Sequence, residues 1–249
     1  MYFDNYASDD DCVLEHVVIE YAGYASNDCV VCNGSSPTLN ECVITNGAGS
    51  AIYCANGASP TIYACSIQDN SVYGILCNGA GSNPLITNCI ITGNSYGVHV
   101  MSGALPVIGG TDGLGNILEG NLNYGVRNTS SSTCVEAQFN WWGDALGPDD
   151  DVFATDDCVD DGNDNNAGDT VSEDVNYLNW AIAPVYTPVP NPTATPTTTP
   201  TMTPTITPTP TVTVTPEPFP STDPGGIGLL LAVMGVLFVA GSRRRGSIK

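Results

Sequence analysis

Any chemistry in this 249-residue chain would have to come from ten cysteines, 26 carboxylates and very few cations. Cys29-x-x-Cys32 has the letters of a redox pair. Asp160-Asp161-Gly162-Asn163-Asp164, with Asp169 beyond it, sets hard oxygen donors around a flexible glycine. That is the chemistry of a Ca²⁺ site, at a spacing unlike an EF-hand loop. A solvated acidic loop is the alternative reading. Glycoside cleavage would need two carboxylates held a fixed distance apart. Sugar binding would need aromatic rings beside hydrogen-bonding groups. Tyr53, Tyr73, Leu76, Tyr96, His99, Tyr124 and Arg127 supply those types.

Which of these groups can meet depends on the elements that carry them, and those elements repeat. Cys42-Val-Ile-Thr, Cys65-Ser-Ile-Gln and Cys89-Ile-Ile-Thr each open a β-rich run. A second run follows each: Ala51-Ile-Tyr-Cys, Gly74-Ile-Leu-Cys and Gly97-Val-His-Val. A third follows a proline, at Pro60, Pro84 and Pro106; with Pro37 before them the prolines are 23, 24 and 22 residues apart. Three short strands per turn, at about 22–24 residues per turn, predict an all-β, single-stranded parallel β-helix. Ile19, Ile44, Ile67, Ile91 and Leu118 form one inward ladder. Val30, Ile52, Ile75, Val98 and Val126 form a second, and Leu39, Ile62, Ile86 and Ile108 a third. Asn33-Gly34, Asn56-Gly57 and Asn78-Gly79 fall where the chain must turn, because both residue types tolerate positive φ. Asn70, Asn94 and Asn121 share another turn, where stacked side-chain amides can bond one another.

Repeat phase then sorts the candidates. Cys42, Cys65 and Cys89 share one phase and Cys32, Cys54 and Cys77 another. Equal phase stacks side chains about 4.8 Å apart and pointing the same way. Disulfide geometry suits this poorly, so these six read as small apolar core fillers. Cys29-x-x-Cys32 lies along a strand, not at a helix start, which argues against a redox role. Cys12, Cys29, Cys134 and Cys158 fall outside both ladders and are free to pair. Glu20 and Glu119 share a phase but sit four turns apart, roughly 19 Å at the strand spacing, too far for a catalytic pair. The second run turns Val31, Tyr53, Leu76, His99 and Arg127 outward, with Tyr73, Tyr96 and Tyr124 at the adjoining turn. This stripe is the predicted ligand-binding face, for a polysaccharide or a surface protein.

Composition divides the chain into a body at 1–186, a Thr/Pro-rich linker at 187–224 and a tail at 225–249. The body holds 24 carboxylates against one cation, Arg127, a formal charge of −23. Such a body repels nucleic acid and other polyanions. Met1–Asp11 has neither the charged nor the apolar region of a signal peptide, and no cap precedes the first turn, so further turns upstream are expected. The linker carries 12 of the 18 prolines and reads as a disordered but extended stalk, reaching on the order of 120 Å at ~3.1 Å per residue. In the tail, 225–242 is apolar and Arg243-Arg244-Arg245 follows, the pattern of a membrane helix whose basic end stays cytoplasmic. Phe219-Pro220-Ser221-Thr222-Asp223 only partly matches a sortase motif. Either way the body is expected at the cell surface.

Asn140-Trp141-Trp142-Gly143, Gly147-Pro148, then Gly168-Asp169-Thr170-Val171 with Trp180 resembles the C-terminal end of bacterial right-handed parallel β-helix proteins of the pectate-lyase-like superfamily, NosD-like and surface β-helix families among them. The resemblance covers residues 2–186. It implies that 139–186 caps the helix, with Trp141 and Trp142 over the end of the core and the strand near Val175 closing the last turn. Lyases of this fold use Arg or Lys as base, with further cations and Ca²⁺ to grip acidic sugars; one arginine does not supply that. The reading is therefore a non-catalytic surface protein that binds glycans or another surface partner and requires no cofactor, with Ca²⁺ at Asp160, Asp161, Asp164 and Asp169 as the candidate ion. A carbohydrate-active enzyme and a purely structural stalk are the competing classes.

Overall fold

A computed structural model describes residues 1–5, 12–23, 28–130, 133–150, 158 and 166–184. Asp160, Asp161 and Asp164, the Thr/Pro-rich linker and the apolar tail lie outside the described residues. Three parallel sheets run side by side along one axis, and the chain visits them in turn. The first sheet holds eight strands, the second seven and the third five. One turn, for example, passes through Leu85–Thr87, Ile90–Thr92 and Tyr96–Met101. About six such turns make a parallel β-solenoid.

Each run alternates, so one residue points inward and its neighbours outward. Ile44, Ile67, Ile91 and Leu118 pair in register and are fully buried; so are Ile52, Ile75, Val98 and Val126, and Leu39, Ile62, Ile86 and Ile108. Ile19, on the first turn, is only partly buried against this core. No single turn could bury its inner face, so the array is cooperative along its axis.

The cysteine ladders fill the core as expected. Cys32, Cys54 and Cys77 pair in register. Cys42, Cys65 and Cys89 are buried, and each thiol points at a carbonyl of the preceding turn: Leu14 O at 3.4 Å, Leu39 O at 3.5 Å and Ile62 O at 3.5 Å. A neighbouring thiol and burial push the Cys42 pKa far up; Cys65 and Cys54 rise as well. Among the four cysteines outside the ladders, Cys134 and Cys158 form a disulfide, whereas Cys12 and Cys29 do not.

Asparagine amides run parallel to the apolar core. Asn70 Nδ2 donates to Asn94 Oδ1 at 3.0 Å, and Asn94 Nδ2 to Asn121 Oδ1 at 3.1 Å. A second short ladder joins Asn116 to Asn140 at 3.0 Å. At the turns, Asn56 and Gly57 both take positive φ, 55° and 85°.

The C-terminal end departs from the simple winding. Asp149–Asp150 forms the outermost rung of the first sheet, and Thr170–Val171 comes back to insert between it and Tyr124–Asn128. Trp142 is fully buried at the end of the core, as is Tyr177, whose hydroxyl donates to Asp150 Oδ2 at 2.7 Å. Val175–Asn176 closes the second sheet against Val135–Glu136. The two tryptophans divide, however. Trp141 is only partly buried on the side of the solenoid, where its Nε1 donates to Glu119 Oε2 at 2.8 Å.

Candidate ligand-binding face

The outer surface of the first sheet brings the predicted stripe together. Register pairs Val31 with Tyr53, Tyr53 with Leu76, Leu76 with His99 and His99 with Arg127. It likewise aligns Tyr73, Tyr96 and Tyr124 at the start of three successive strands. A glycine follows each of these tyrosines, and close approach explains it. A Cβ on Gly97 would lie 2.4 Å from the Gly125 carbonyl oxygen.

The rings pack on one another. Tyr96 and Tyr124 are nearly parallel, 6° apart with centroids at 6.0 Å, and Tyr73 leans on Tyr96 at 5.4 Å. The Arg127 guanidinium lies over both Tyr96 and Tyr124, at 5.5 and 5.4 Å, a cation–π arrangement. Its Nη1 donates to the Tyr96 hydroxyl at 3.4 Å. At the other end of the stripe the Tyr53 hydroxyl accepts from Asn78 Nδ2 at 3.0 Å. Tyr2, exposed and in register with Val31, extends the stripe by one turn and accepts from Asn33 Nδ2 at 2.6 Å. Sequence phase left Tyr2 out of the stripe, although alignment with the later copy at Val31 supplies its phase.

His99 differs from its neighbours. It points outward, yet it is only 5% exposed, because the Tyr73 and Tyr96 rings cover it at 4.9 and 5.6 Å. The Thr129 hydroxyl donates to Val100 O at 3.1 Å, so its oxygen is left to accept from His99 Nε2 at 3.3 Å. That assigns the proton to Nε2 and leaves the Nδ1 lone pair buried without a partner. Burial, with the Arg127 charge adding to it, lowers the His99 pKa to about 4. An unfolded histidine titrates near 6.5. The unfolded chain therefore takes up the proton first, and this contribution to stability is whole above pH ~6.5 and lost as pH falls toward 4. In an NMR titration the His99 ring signals should show a midpoint near 4, and His99→Phe should reduce the drop in unfolding midpoint between pH 7 and 4. A midpoint near 6.5 would contradict the buried, neutral ring.

Of the four aspartates in the candidate Ca²⁺ set, Asp169 lies among the described residues. Asp169 Oδ1 accepts from Gly120 N at 2.7 Å, and its Oδ2 accepts from Asn121 N at 3.0 Å and Asn121 Nδ2 at 2.8 Å. Asp169 thus terminates the asparagine ladder. Burial raises its pKa, against the pull of these donors, and the nearby Glu119 charge adds to the rise. Among the described residues no group of three or more His, Cys, Asp or Glu side chains is placed to hold a metal ion. Glu20 and Glu119 are separated along one register ladder through Thr45, Gln68 and Thr92. The neighbourhood of Glu119 and Asp169 escaped sequence analysis because Asp169 comes from the non-repeating cap.

Two clefts share Asn179, Trp180 and Ile182 in their linings, which include no residue of this face. One, of about 420 Å³, is lined by Asp112, Phe139 and Ala181; the other, of about 380 Å³, by Ala145, Leu146 and Asn166.

Three in-register parallel sheets around a ladder core define the class of this protein, a β-solenoid with a ridged outer face. The chain belongs to the right-handed β-helix family: the family described as "Right handed beta helix region" matches residues 5–141, more than half of the 249-residue chain. No curated protein and no solved structure matches the chain.

Proposed function

We propose that the protein is a non-catalytic binding scaffold and that its tyrosine face takes glycans. The observation that carries this reading is the packed row of Tyr73, Tyr96 and Tyr124 with Arg127 across two of the rings. Rigid, amphipathic rings offer area to a sugar at little entropic cost, as they do in other recognition surfaces. The Thr/Pro-rich linker and the apolar, basic-ended tail support display at a cell surface. Both oxygens of Asp169 and one of Glu119 are taken by structural donors, which disfavours these carboxylates as a hydrolytic pair.

A glycan array probed with the purified chain tests the reading. Wild type should bind a subset of glycans, and Tyr96→Ala should weaken that binding by about 2 kcal/mol, roughly thirtyfold. Release of reducing sugar from a bound polysaccharide would favour the enzyme class instead. Binding unchanged in Tyr96→Ala would remove this face from consideration.

A further inference from the structure

Arg127 is the single cation among residues 1–186, in a body of formal charge −23. In so acidic a molecule a guanidinium would ordinarily find a carboxylate. Among the described residues no carboxylate lies within ion-pairing distance of Arg127; the one close contact of this kind joins His16 Nδ1 to Glu41 Oε2 at 3.1 Å. Its charge instead rests on Tyr96 and Tyr124, with one bond to a phenol oxygen at 3.4 Å. A guanidinium carries five N–H donors in a planar fork matched to oxyanions, so most of that capacity is left for something else. The residue opposite it in register is His99, buried and neutral above about pH 4, so Arg127 alone supplies the charge at this point of the face.

From this arrangement we infer that Arg127 reads one isolated anionic substituent, a sulfate ester or a carboxylate, on the sugar that the tyrosine face holds. The inference rests on the glycan reading above and specifies its ligand. One cation can neutralise one oxyanion, whereas the surrounding negative charge opposes a second, so linear polyanions are excluded by the same electrostatics that favour a single charged group. The tyrosines hold the guanidinium in place before the ligand arrives, which lowers the ordering cost of binding.

The test titrates the full chain with three probes: methyl β-D-glucoside, methyl β-D-glucuronide and glucose 6-sulfate. Titrations use calorimetry at moderate salt and compare wild type with Arg127→Gln and Arg127→Lys. A charge-assisted hydrogen bond should make one or both anionic probes bind about tenfold or more tightly than the glucoside. Arg127→Gln should abolish the preference for the anionic probes, so that they bind this variant no more tightly than the glucoside does, while Arg127→Lys retains part of the difference. Preference for the sulfate over the glucuronide, or the reverse, identifies the substituent. Equal binding of all three probes, unaffected by Arg127→Gln, would overturn the inference and leave the tyrosine-face reading intact. Binding of no probe by wild type would overturn both for these sugars. Unfolding midpoints of the variants, expected to match wild type within a few degrees, separate lost recognition from lost folding.

Discussion

Asn94→Ala is expected to cost about 3 kcal/mol of folding stability and to lower the unfolding midpoint by about 6–12 °C. Asn94 is 1% exposed and lies in the middle of the asparagine ladder. Its Oδ1 accepts from both the Asn70 backbone N at 3.1 Å and Asn70 Nδ2 at 3.0 Å. Its Nδ2 reaches Ile67 O at 3.1 Å, Thr92 O at 3.2 Å and Asn121 Oδ1 at 3.1 Å. Alanine removes the acceptor from two buried donors and the donor from buried oxygens, and water has little room to replace them. Leaving a buried polar group unpaired costs about 1–3 kcal/mol, more than the net gain of making the bond. Asn123→Ala is the control. Asn123 is exposed and bonds Ser95 O, so its loss should stay within about 0.5 kcal/mol. Chemical denaturation of both variants decides the matter; an Asn94→Ala loss below 1 kcal/mol would show that the ladder is not a stabilising element.

Opening the Cys134–Cys158 bond is expected to have a comparable effect at the other level of the structure. The bond joins positions 24 residues apart, and closing a loop of that length restricts the unfolded chain by about 3 kcal/mol. It also ties the cap to the last turn. Cys134 adjoins Val135, which pairs with Val175, and Cys158 packs against the core cluster. The double variant Cys134→Ser/Cys158→Ser, compared with reduced wild type by thermal unfolding, should lose about 3 kcal/mol in both cases. The buried ladder thiols contribute nothing to a change on reduction, because Cys42, Cys54, Cys65, Cys77 and Cys89 are not disulfide-bonded. Stability that is unchanged on reduction would mean the bond does not restrain the unfolded chain.

Most of the solenoid is legible in the sequence alone. In a parallel β-helix, equal repeat phase is spatial adjacency, so sequence alone aligned Ile44 with Ile67 and Ile91, and Asn70 with Asn94 and Asn121. The same rule denied disulfides to the two cysteine ladders and kept Glu20 away from Glu119. Where the period stops, so does the rule. The insertion of Thr170–Val171 inside Asp149–Asp150, the burial of Tyr177 and the departure of Trp141 from the end of the core all belong to the cap, and no earlier copy predicts them. Asp169 is the instructive case: it comes from outside the repeats, so no phase predicts that it ends an amide ladder.

The face divides along the same line. Phase determined from sequence that Tyr53, Leu76, His99 and Arg127 share one outward row, with Tyr73, Tyr96 and Tyr124 beside it. Side-chain packing across turns, which only the tertiary structure decides, laid Tyr73 and Tyr96 over His99 and set Arg127 against two rings. Backbone periodicity selects the side of the sheet a residue occupies. Whether that residue is then solvated, covered or left holding an unpaired charge depends on how the neighbouring side chains lie.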